Sequence, residues 1–488
     1  MKKINVFDSA LSEWHGEMAG LRFSKLTHQF TRDGVTALYH SLTHQVLYLD
    51  SGVCETISRK VGSKGELAEK DQQVVRELIK HGFLVSREHD EYLLIDEVAS
   101  RFLGKPSFGI LYLLLTDVCN LSCRYCFIEG AMPEHHTFSW MSEETAIKGL
   151  NFFAQVLKRN PKYQKNNHPL IIFYGGEPLL NQKTFLVALD EIVRLRESGE
   201  FPSKVSISLL TNATTLNENL VEAITKNKVA VSVSLDGPKD INDANRVFRN
   251  KEGTFDTIIR NIEKLREAGA KVSISCTINP QNLNQLEEVF QWMVDEFQLK
   301  GLGFNILLDL PGMTQANEEY ARRATEKIIE CYQIAREKGI YEDRIMRKVK
   351  AFVTKSLHLV DCGGCGNQIV IAPNGKIGPC HAYVSTEKFF PGHVDEVSFD
   401  PFTDPIFREW SRRSPFNIPE CRFCEAIGLC GGGCPYNAEL KEGSIWKVDS
   451  NFCIHSKMVL EWLVCLLYTS DAADELDGVD LGGRRIIK

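Results

Sequence analysis

The stretch TDVCNLSCRYCF, residues 116–127, decides the fold of this 488-residue chain. It places Cys119, Cys123 and Cys126 in one loop, directly after a strand-like apolar run at 110–115. Three thiolates cannot complete a tetrahedral zinc site alone, but they can hold three irons of a [4Fe–4S] cube and leave the fourth open to a chelating ligand. The loop therefore predicts an iron–sulfur centre at the end of a first strand. A structural zinc knuckle is the alternative.

Strand-like and helical patterns alternate on both sides of this loop, from Phe108 to about Leu310. The apolar runs cover 110–115, 170–174, 205–210, 229–235, 272–278 and 302–308. The helical patterns between them include 143–158, 182–196, 255–268 and 284–297. Six such units predict an α/β fold with a parallel sheet, as a partial barrel or as a doubly wound fold. In either case the chemistry is expected at the carboxyl ends of the strands.

Short motifs close several of these strands. Tyr174 is followed by Gly175, Gly176, Glu177 and Pro178, where paired glycines allow a close backbone approach and a carboxylate can accept from an ammonium group. TNAT (211–214) and SLDGP (234–238) end the third and fourth runs. Alone, each motif is a weak turn signal, but together they surround the cysteine loop.

The cysteine loop with its aromatic Phe127, one strand away from GGEP, resembles the signature of the radical S-adenosylmethionine (SAM) enzymes. The resemblance implies a partial (β/α)6 barrel over 106–315 and a SAM-binding [4Fe–4S] cluster on Cys119, Cys123 and Cys126. In that family GGEP contacts the methionine amino group of SAM, and a 5′-deoxyadenosyl radical abstracts hydrogen from an unactivated C–H bond. The residues that the resemblance assigns to SAM are Phe127, Gly175, Gly176, Glu177, Pro178, Ser234 and Arg246. Ser234 and Arg246 could equally be a strand cap and a solvated arginine.

Eight further cysteines cluster in a Gly- and Cys-rich segment at 361–455, behind a helical connector at 316–360. On numbers alone they match two four-cysteine cubes or two zinc sites. Their order resembles the SPASM extension of radical SAM enzymes, which carries two auxiliary [4Fe–4S] clusters. That resemblance implies one cluster on Cys362, Cys365, Cys380 and Cys434 and another on Cys421, Cys424, Cys430 and Cys453. Three clusters and SAM are therefore the expected cofactors, with flavodoxin or ferredoxin as the electron donor.

Residues 1–105 contain no clustered cysteines. Strand-like runs at 36–42 and 45–49 precede helical patterns at 51–60 and 69–81, and a short ribbon is expected from 84–86 and 91–95. The pattern predicts a winged-helix-like module. DNA binding is the alternative, but the stretch has no basic recognition helix. In peptide maturases that cross-link ribosomally made precursors, such an element recognises the leader, which would add as a strand to an exposed sheet edge.

The resemblance leaves two substrate classes open, and a non-catalytic iron–sulfur binding protein is a third alternative that the complete set of SAM motifs argues against. Peptide cross-linking is favoured by the N-terminal module, with a thioether as the expected link and a carbon–carbon link as its alternative. The second substrate class is a sulfatase-maturase-like conversion of Cys or Ser to formylglycine. Two departures count against it, because 118 residues precede Cys119 and His381, not Asp, follows Cys380. His381 and Tyr383 are candidate bases, with a structural hydrogen-bonding role as the alternative.

Charge and hydropathy exclude other classes of function. With 57 basic and 64 acidic residues the net charge is −7, which leaves no surplus for a phosphate backbone. No apolar stretch is long enough for a membrane span, and the reducing setting that the clusters need predicts a cytoplasmic protein. Cys54, Cys276 and Cys331 match no ligand pattern and are expected in the core. Residues 456–464 predict a truncated C-terminal helix. Residues 465–488 resemble a translated library adaptor, which would mean that the native chain continues past Val464.

Overall fold

The N-terminal region combines three helices with two small antiparallel sheets. The structure is a computed structural model that describes residues 14, 16–64, 67–160, 168–310, 312–314, 316–466 and 486–487. The strands are β1 (Leu21–Phe23), β2 (Thr27–Arg32), β3 (Val35–His40), β4 (Gln45–Asp50) and β5 (Leu84–Ser86). The helices are α1 (Ser51–Lys60), α2 (Glu69–Lys80) and α3 (Glu91–Phe102). Strand β1 pairs with β5, and β2, β3 and β4 form a meander. The winged-helix assignment stays a prediction.

One expectation for this region is wrong, because residues 91–95 begin helix α3 and do not form a ribbon. Asp90 caps the helix by accepting from the backbone N–H of Tyr92. Ile95 and Val98, three residues apart, share the buried face of the helix. The run Tyr-Leu-Leu-Ile is too short to show whether its period is that of a strand or a helix.

Six parallel strands form the central sheet in their sequence order. They are β6 (Ile110–Thr116), β7 (Leu170–Gly175), β8 (Ser206–Thr211), β9 (Ala230–Ser234), β10 (Lys271–Ile278) and β11 (Gly301–Ile306). Each pairs with the next along the chain. A doubly wound sheet reverses direction at a switch point. This order has no such reversal, and β6 and β11 do not pair, so the sheet is the open barrel and not the doubly wound alternative.

Helices cover the barrel sheet between its strands. They are α4 (Phe127–Gly130), α5 (Glu143–Lys158), α6 (Gln182–Glu197), α7 (Glu218–Lys226), α8 (Lys239–Asn245), α9 (Phe255–Glu267) and α10 (Leu286–Phe297). Ser142 caps α5 through the N–H of Thr145, and Asn217 caps α7 through the N–H of Leu220. The four helices that periodicity predicts here are present. Cys54, Cys276 and Cys331 are buried, as expected.

The C-terminal part of the chain continues the barrel sheet. Its elements are α11 (Glu318–Glu337), β12 (Tyr341–Glu342), α12 (Asp343–Val353), β13 (Gln368–Ile371), β14 (Lys376–Gly378), β15 (Gly392–His393), α13 (Pro405–Arg412), α14 (Ile427–Cys430), α15 (Pro435–Glu442) and α16 (Ser450–Leu466). Strand β12 pairs with β11, and β13 pairs in parallel with β6. The cysteine-rich segment is therefore joined to the barrel through its backbone.

The expected C-terminal helix at 456–464 is the second half of α16. A two-residue strand, β16 (Ile486–Ile487), pairs with β4. The expected foreign tail at 465–488 otherwise lies almost wholly outside the described residues. Within the ranges that the structure covers, no helix is long and apolar enough to cross a membrane.

Candidate active site

The loop with the first three cysteines is pinned to the next strand by two backbone hydrogen bonds. The N–H of Gly176 donates to the carbonyl of Thr116, and the N–H of Glu177 donates to the carbonyl of Val118, each over 2.8 Å. A Cβ on Gly175 would lie 2.1 Å from the Thr116 oxygen, and one on Gly176 would lie 2.3 Å from the Val118 oxygen. The paired glycines are thus required by the approach of the cysteine loop itself, before any ligand is considered.

Glu177 lies beneath this loop and is fully buried. Its carboxylate accepts from the N–H of Leu179 over 3.0 Å, from the Thr211 hydroxyl over 2.7 Å and from the N–H of Asn212 over 2.7 Å. Burial nevertheless raises the pKa of this carboxyl to about 7. The Glu177 side chain thus links the ends of β7 and β8 by hydrogen bonds. It also caps the short helical turn that begins at Pro178. The expected contact with the SAM amino group stays a prediction.

Arg246 lies against Cys123 and is not a solvated arginine. Only 8% of the residue is exposed. Its guanidinium lies 3.8 Å from the Cys123 sulfur and 3.4 Å from the Asp236 carboxylate. Asp236 also accepts the hydroxyl proton of Tyr125 and the N–H of Thr277. Ser234, the last residue of β9, is half-buried and lies beside β10.

Two residues that sequence reasoning did not select, Asp236 and Asn212, hold the loop in place. Asn212 donates to Asn120 over 3.0 Å and lies 3.9 Å from the Cys119 sulfur. Both belong to strand-end motifs, SLDGP and TNAT, which was the only signal that could have identified them. The three thiols are half-buried, and burial raises the pKa of Cys119 to about 12 and that of Cys123 to about 11. Metal binding at this loop must therefore displace protons.

Cys362, Cys365, Cys380 and Cys434 form one group. Burial raises the pKa of Cys380, and the adjacent Cys362, Cys434 and Cys365 raise it further. Burial and Cys362 likewise raise the pKa of Cys434 to about 12. These are the four cysteines that the resemblance places on one cluster.

Cys421, Cys424, Cys430 and Cys453 form the second group, around a cavity of about 370 Å³. All four line this cavity, together with apolar residues such as Ile418 and Val448. Burial raises the pKa of Cys421 to about 12, and Cys430 and Cys453 add to that shift. Thiols that line one apolar pocket fit a metal–sulfur cube, whose irons each take one thiolate. In the described part of the chain, no three or more Cys, His, Asp or Glu side chains are arranged to hold a single metal ion.

Arg413 lies between the two groups and is fully buried. It donates to the carbonyls of Gly432 over 2.8 Å and Lys447 over 3.2 Å, and also to that of Ile445. Burial raises the pKa values of Cys365 and Cys421, and this guanidinium opposes both shifts. Sequence reasoning missed it, because nothing distinguishes a buried arginine from the many exposed ones in a sequence.

His381 connects the first group to the barrel. Its ring stacks on Tyr112 at 4.8 Å between centroids and packs edge-on against Tyr174 at 5.1 Å and Phe127 at 5.8 Å. Burial lowers its pKa to about 4, and its Nδ1 is buried with no hydrogen-bond partner in the described residues. Tyr383 differs, because its hydroxyl donates to the carboxylate of Glu439 and its ring lies in an apolar cluster.

The N-terminal sheet packs on the segment that carries the second group. A Cβ on Gly428 would lie 2.3 Å from the carbonyl of Ser41. Tyr39 donates or accepts a 2.6 Å hydrogen bond with His44 Nδ1, and its ring stacks on Phe352 of α12. On the surface, Tyr92 of α3 packs edge-on against Phe423. The predicted recognition module therefore contacts the cysteine-rich segment directly.

Residues 113–293 match the model of the radical SAM superfamily. Among curated proteins, the radical SAM cyclopropyl synthase TigE of Paramaledivibacter caminithermalis is 24% identical over 80% of this chain and 82% of its own length. The cysteine-type anaerobic sulfatase-maturating enzyme of Clostridium perfringens is 24% identical over 70% of this chain and 92% of its own.

Two solved structures share the fold. Native anSMEcpe with bound AdoMet and Cp18Cys peptide is 21% identical, with a TM-score of 0.60 over 76% of this chain and 100% of that one. Streptococcus suis SuiB bound to S-adenosylmethionine is 16% identical, with a TM-score of 0.51 over 88% and 99%. The superfamily match begins inside β6 and ends inside α10, so it covers the three-cysteine loop and every strand-end motif around it. The chain is therefore an enzyme that contains a radical SAM domain.

Proposed function

We propose that this enzyme installs a cross-link, most simply a thioether, in a ribosomally made precursor peptide. One solved relative carries a bound peptide, and the curated relatives include a cyclopropyl synthase and sulfatase-maturating enzymes. These relatives support a peptide or protein substrate. The chemistry of the cross-link rests on the arrangement of this chain's own residues.

The proposed cofactors are SAM and three [4Fe–4S] clusters. Cys119, Cys123 and Cys126 would hold the cluster that binds SAM, and the two four-cysteine groups would hold the auxiliary clusters. When bound, the first cluster and SAM supply a 5′-deoxyadenosyl radical that removes one hydrogen atom from a C–H bond. The chain positions the loop through Asp236, Asn212 and Arg246, as their contacts with it indicate.

The observation that carries the proposal is the aromatic contact between the first cysteine loop and the first auxiliary group. Burial raises the pKa of Tyr174, and Cys126 raises it further. Burial also raises that of Tyr112, with Cys362 and Cys380 adding to the shift. The two rings pack edge-on at 6.0 Å. A substrate held at the barrel mouth would thus lie between the radical source and an electron acceptor.

Thioether formation balances with these parts. The substrate loses one hydrogen atom from carbon, one proton from the cysteine thiol and one electron, and a C–S bond forms. The hydrogen atom would end on 5′-deoxyadenosine, an auxiliary cluster held by the cysteine groups would supply the electron acceptor, and a base would take the proton. We assign that role to His381, because its Nδ1 is buried with no hydrogen-bond partner in the described residues. Tyr383 is better suited to a structural role, because its hydroxyl already donates to Glu439.

We further propose that residues 1–105 bind the leader of the precursor by strand addition. Strand β2 is the last strand of its sheet, so one of its edges has no partner strand among the described residues. An extended peptide can bind such an edge through its main chain. Because the same sheet packs on the segment of the second cysteine group, deletion of residues 1–104 would also uncover Gly428 and Phe352. Peptide variants are therefore a cleaner test than truncation.

The test uses a small cysteine-containing peptide encoded beside this gene, with dithionite, SAM and the reconstituted enzyme. A thioether product loses two hydrogens, keeps its sulfur and no longer reacts with a thiol reagent. A formylglycine product loses its sulfur and reacts with a hydrazine, which would favour the sulfatase-type alternative. Separate leader peptide should inhibit the reaction. Two leader peptides would carry N-methyl groups on every second amide, one peptide on the odd amides and the other on the even amides. Only one of the two should fail to inhibit, because only one set of amides faces the sheet edge. Equal inhibition by both peptides contradicts strand addition.

A further inference from the structure

Lys348 is a buried cation that the reaction described above does not use. It lies on α12, is fully buried, and its ammonium has no hydrogen-bond partner among the residues that the structure describes. The nitrogen lies 4.3 Å from the ring centroid of Phe452, whose neighbour in the chain is Cys453. Burial of a charge without a partner is unfavourable, so a partner is expected nearby.

The surroundings of Lys348 belong to the second cysteine group. Burial raises the pKa of Cys430, and Ser456 and Lys348 oppose that shift. In turn burial lowers the pKa of Lys348, while Asp361 and Cys430 raise it. His455 Nε2, on the helix that carries Cys453, is also buried with no partner in the described residues.

Other cations around this site are already paired. Arg347 contacts Asp343 and lies 3.3 Å from Asp361. Arg413 directs its donors to backbone carbonyls. Asp361 stabilises the Lys348 charge, but it is shared with Arg347 and His358, and in the described residues no carboxylate hydrogen-bonds to the Lys348 ammonium.

We infer that the Lys348 ammonium is the counter-charge of the metal–sulfur centre that Cys421, Cys424, Cys430 and Cys453 hold, and that it sets the reduction potential of that centre. This inference rests on the cluster assignment proposed above. Four thiolates give such a centre net negative charge, and reduction adds one more. A cation inside the same low-dielectric region stabilises the reduced form more than the oxidised form.

The experiment replaces Lys348 with Met in the full-length chain, in a background where Cys119, Cys123 and Cys126 are Ala. Only the auxiliary centres then contribute to iron content and to the electron paramagnetic resonance signal. Redox titration should show that one of the two auxiliary signals moves to a more negative potential while the other stays unchanged. Iron loss to a chelator should become faster. Lys350→Met, an exposed position on the same helix, is the matched control and should change neither property.

Lys348→Arg and Lys348→Gln separate charge from packing. If Met removes the second centre altogether, Arg should retain iron better than Gln, because only Arg keeps the positive charge. Equal iron loss in Arg and Gln overturns the inference, as does a Met variant with the parent's potential and rate of iron loss. A parent chain with only one auxiliary signal overturns the cluster assignment, and this inference with it. If both auxiliary signals are present and neither changes its reduction potential in Lys348→Met, this inference is overturned and the cluster assignment is not.

Discussion

Replacing Gly176 with Ala tests whether the backbone packing beneath the cysteine loop positions the first metal centre. The new Cβ would lie 2.3 Å from the Val118 oxygen and 2.7 Å from the Asp117 oxygen, whereas ordinary contact begins at 3.4 Å. The Val118 carbonyl must therefore retreat by about 1 Å, which lengthens its 2.8 Å bond from the Glu177 N–H beyond hydrogen-bonding range. Overpacking of this kind costs about 1–3 kcal/mol, and the lost bond adds about 1 kcal/mol.

The displaced carbonyl is adjacent to Cys119, so we expect the variant to lose the first centre and keep the other two. After anaerobic reconstitution, iron per chain should fall by about four of twelve, and SAM binding should disappear. Gly269→Ala is the matched control, because its φ of +80° carries backbone strain while no atom lies within 4 Å of the new Cβ. It should cost about 1 kcal/mol and keep all iron. A Gly176→Ala chain with full iron and the parent's SAM affinity would refute this reasoning.

Three further predictions concern the iron content, the role of Glu177 and the pH dependence of stability. The reconstituted parent should contain about twelve irons, and replacement of Cys119, Cys123 and Cys126 by Ala should leave about eight. Stoichiometric zinc in place of the auxiliary iron would contradict the cluster assignment. Glu177→Ala should lower SAM affinity by about 10- to 150-fold if Glu177 accepts a hydrogen bond from the SAM ammonium. It should also lower the thermal midpoint of unfolding, because three buried donors lose their acceptor. A lower thermal midpoint of unfolding with unchanged SAM affinity would show that Glu177 only links β7 and β8 and does not contact SAM. Burial lowers the pKa of His44 from 6.5 to about 4, so its contribution to stability is present above pH 6.5 and is lost as the pH falls towards 4, by about 3 kcal/mol. Denaturant titrations should show this loss in the parent and a flatter pH profile in His44→Leu.

The sequence predicted the start of the barrel well because its first two strands are buried along most of their length. Residues 110–115 and 170–174 are continuous apolar runs that match β6 and β7 closely, and Ser142 caps helix α5 between them. Helix α3 was predicted wrongly, because the apolar run from Tyr92 to Ile95 is too short to reveal a period. Strand β2 was missed because it is half-exposed and its polar residues break the pattern.

The cysteines were predicted by spacing, and the residues that hold them in place were not. Cysteine spacing is a local signal, so four residues of each group could be listed before their positions were known. Asp236, Arg413 and Lys348 act across long sequence separations, through ion pairs and burial that no local pattern encodes. The sequence alone does not show which lysines are buried. Burial depends on which face of the helix packs against the rest of the protein, and tertiary structure decides this.

Strand register is what places the first cysteine loop and the first auxiliary group next to each other. Gln368 to Ile371 of β13 pair with Ile110 to Leu113 of β6. Strand β6 leads directly to Cys119, and β13 leads through β14 to Cys380. A register shift of one residue would turn the side chains of β13 to the opposite face, and would move His381 away from Tyr112. The distance between the two cysteine groups is therefore set by backbone hydrogen bonds within one sheet.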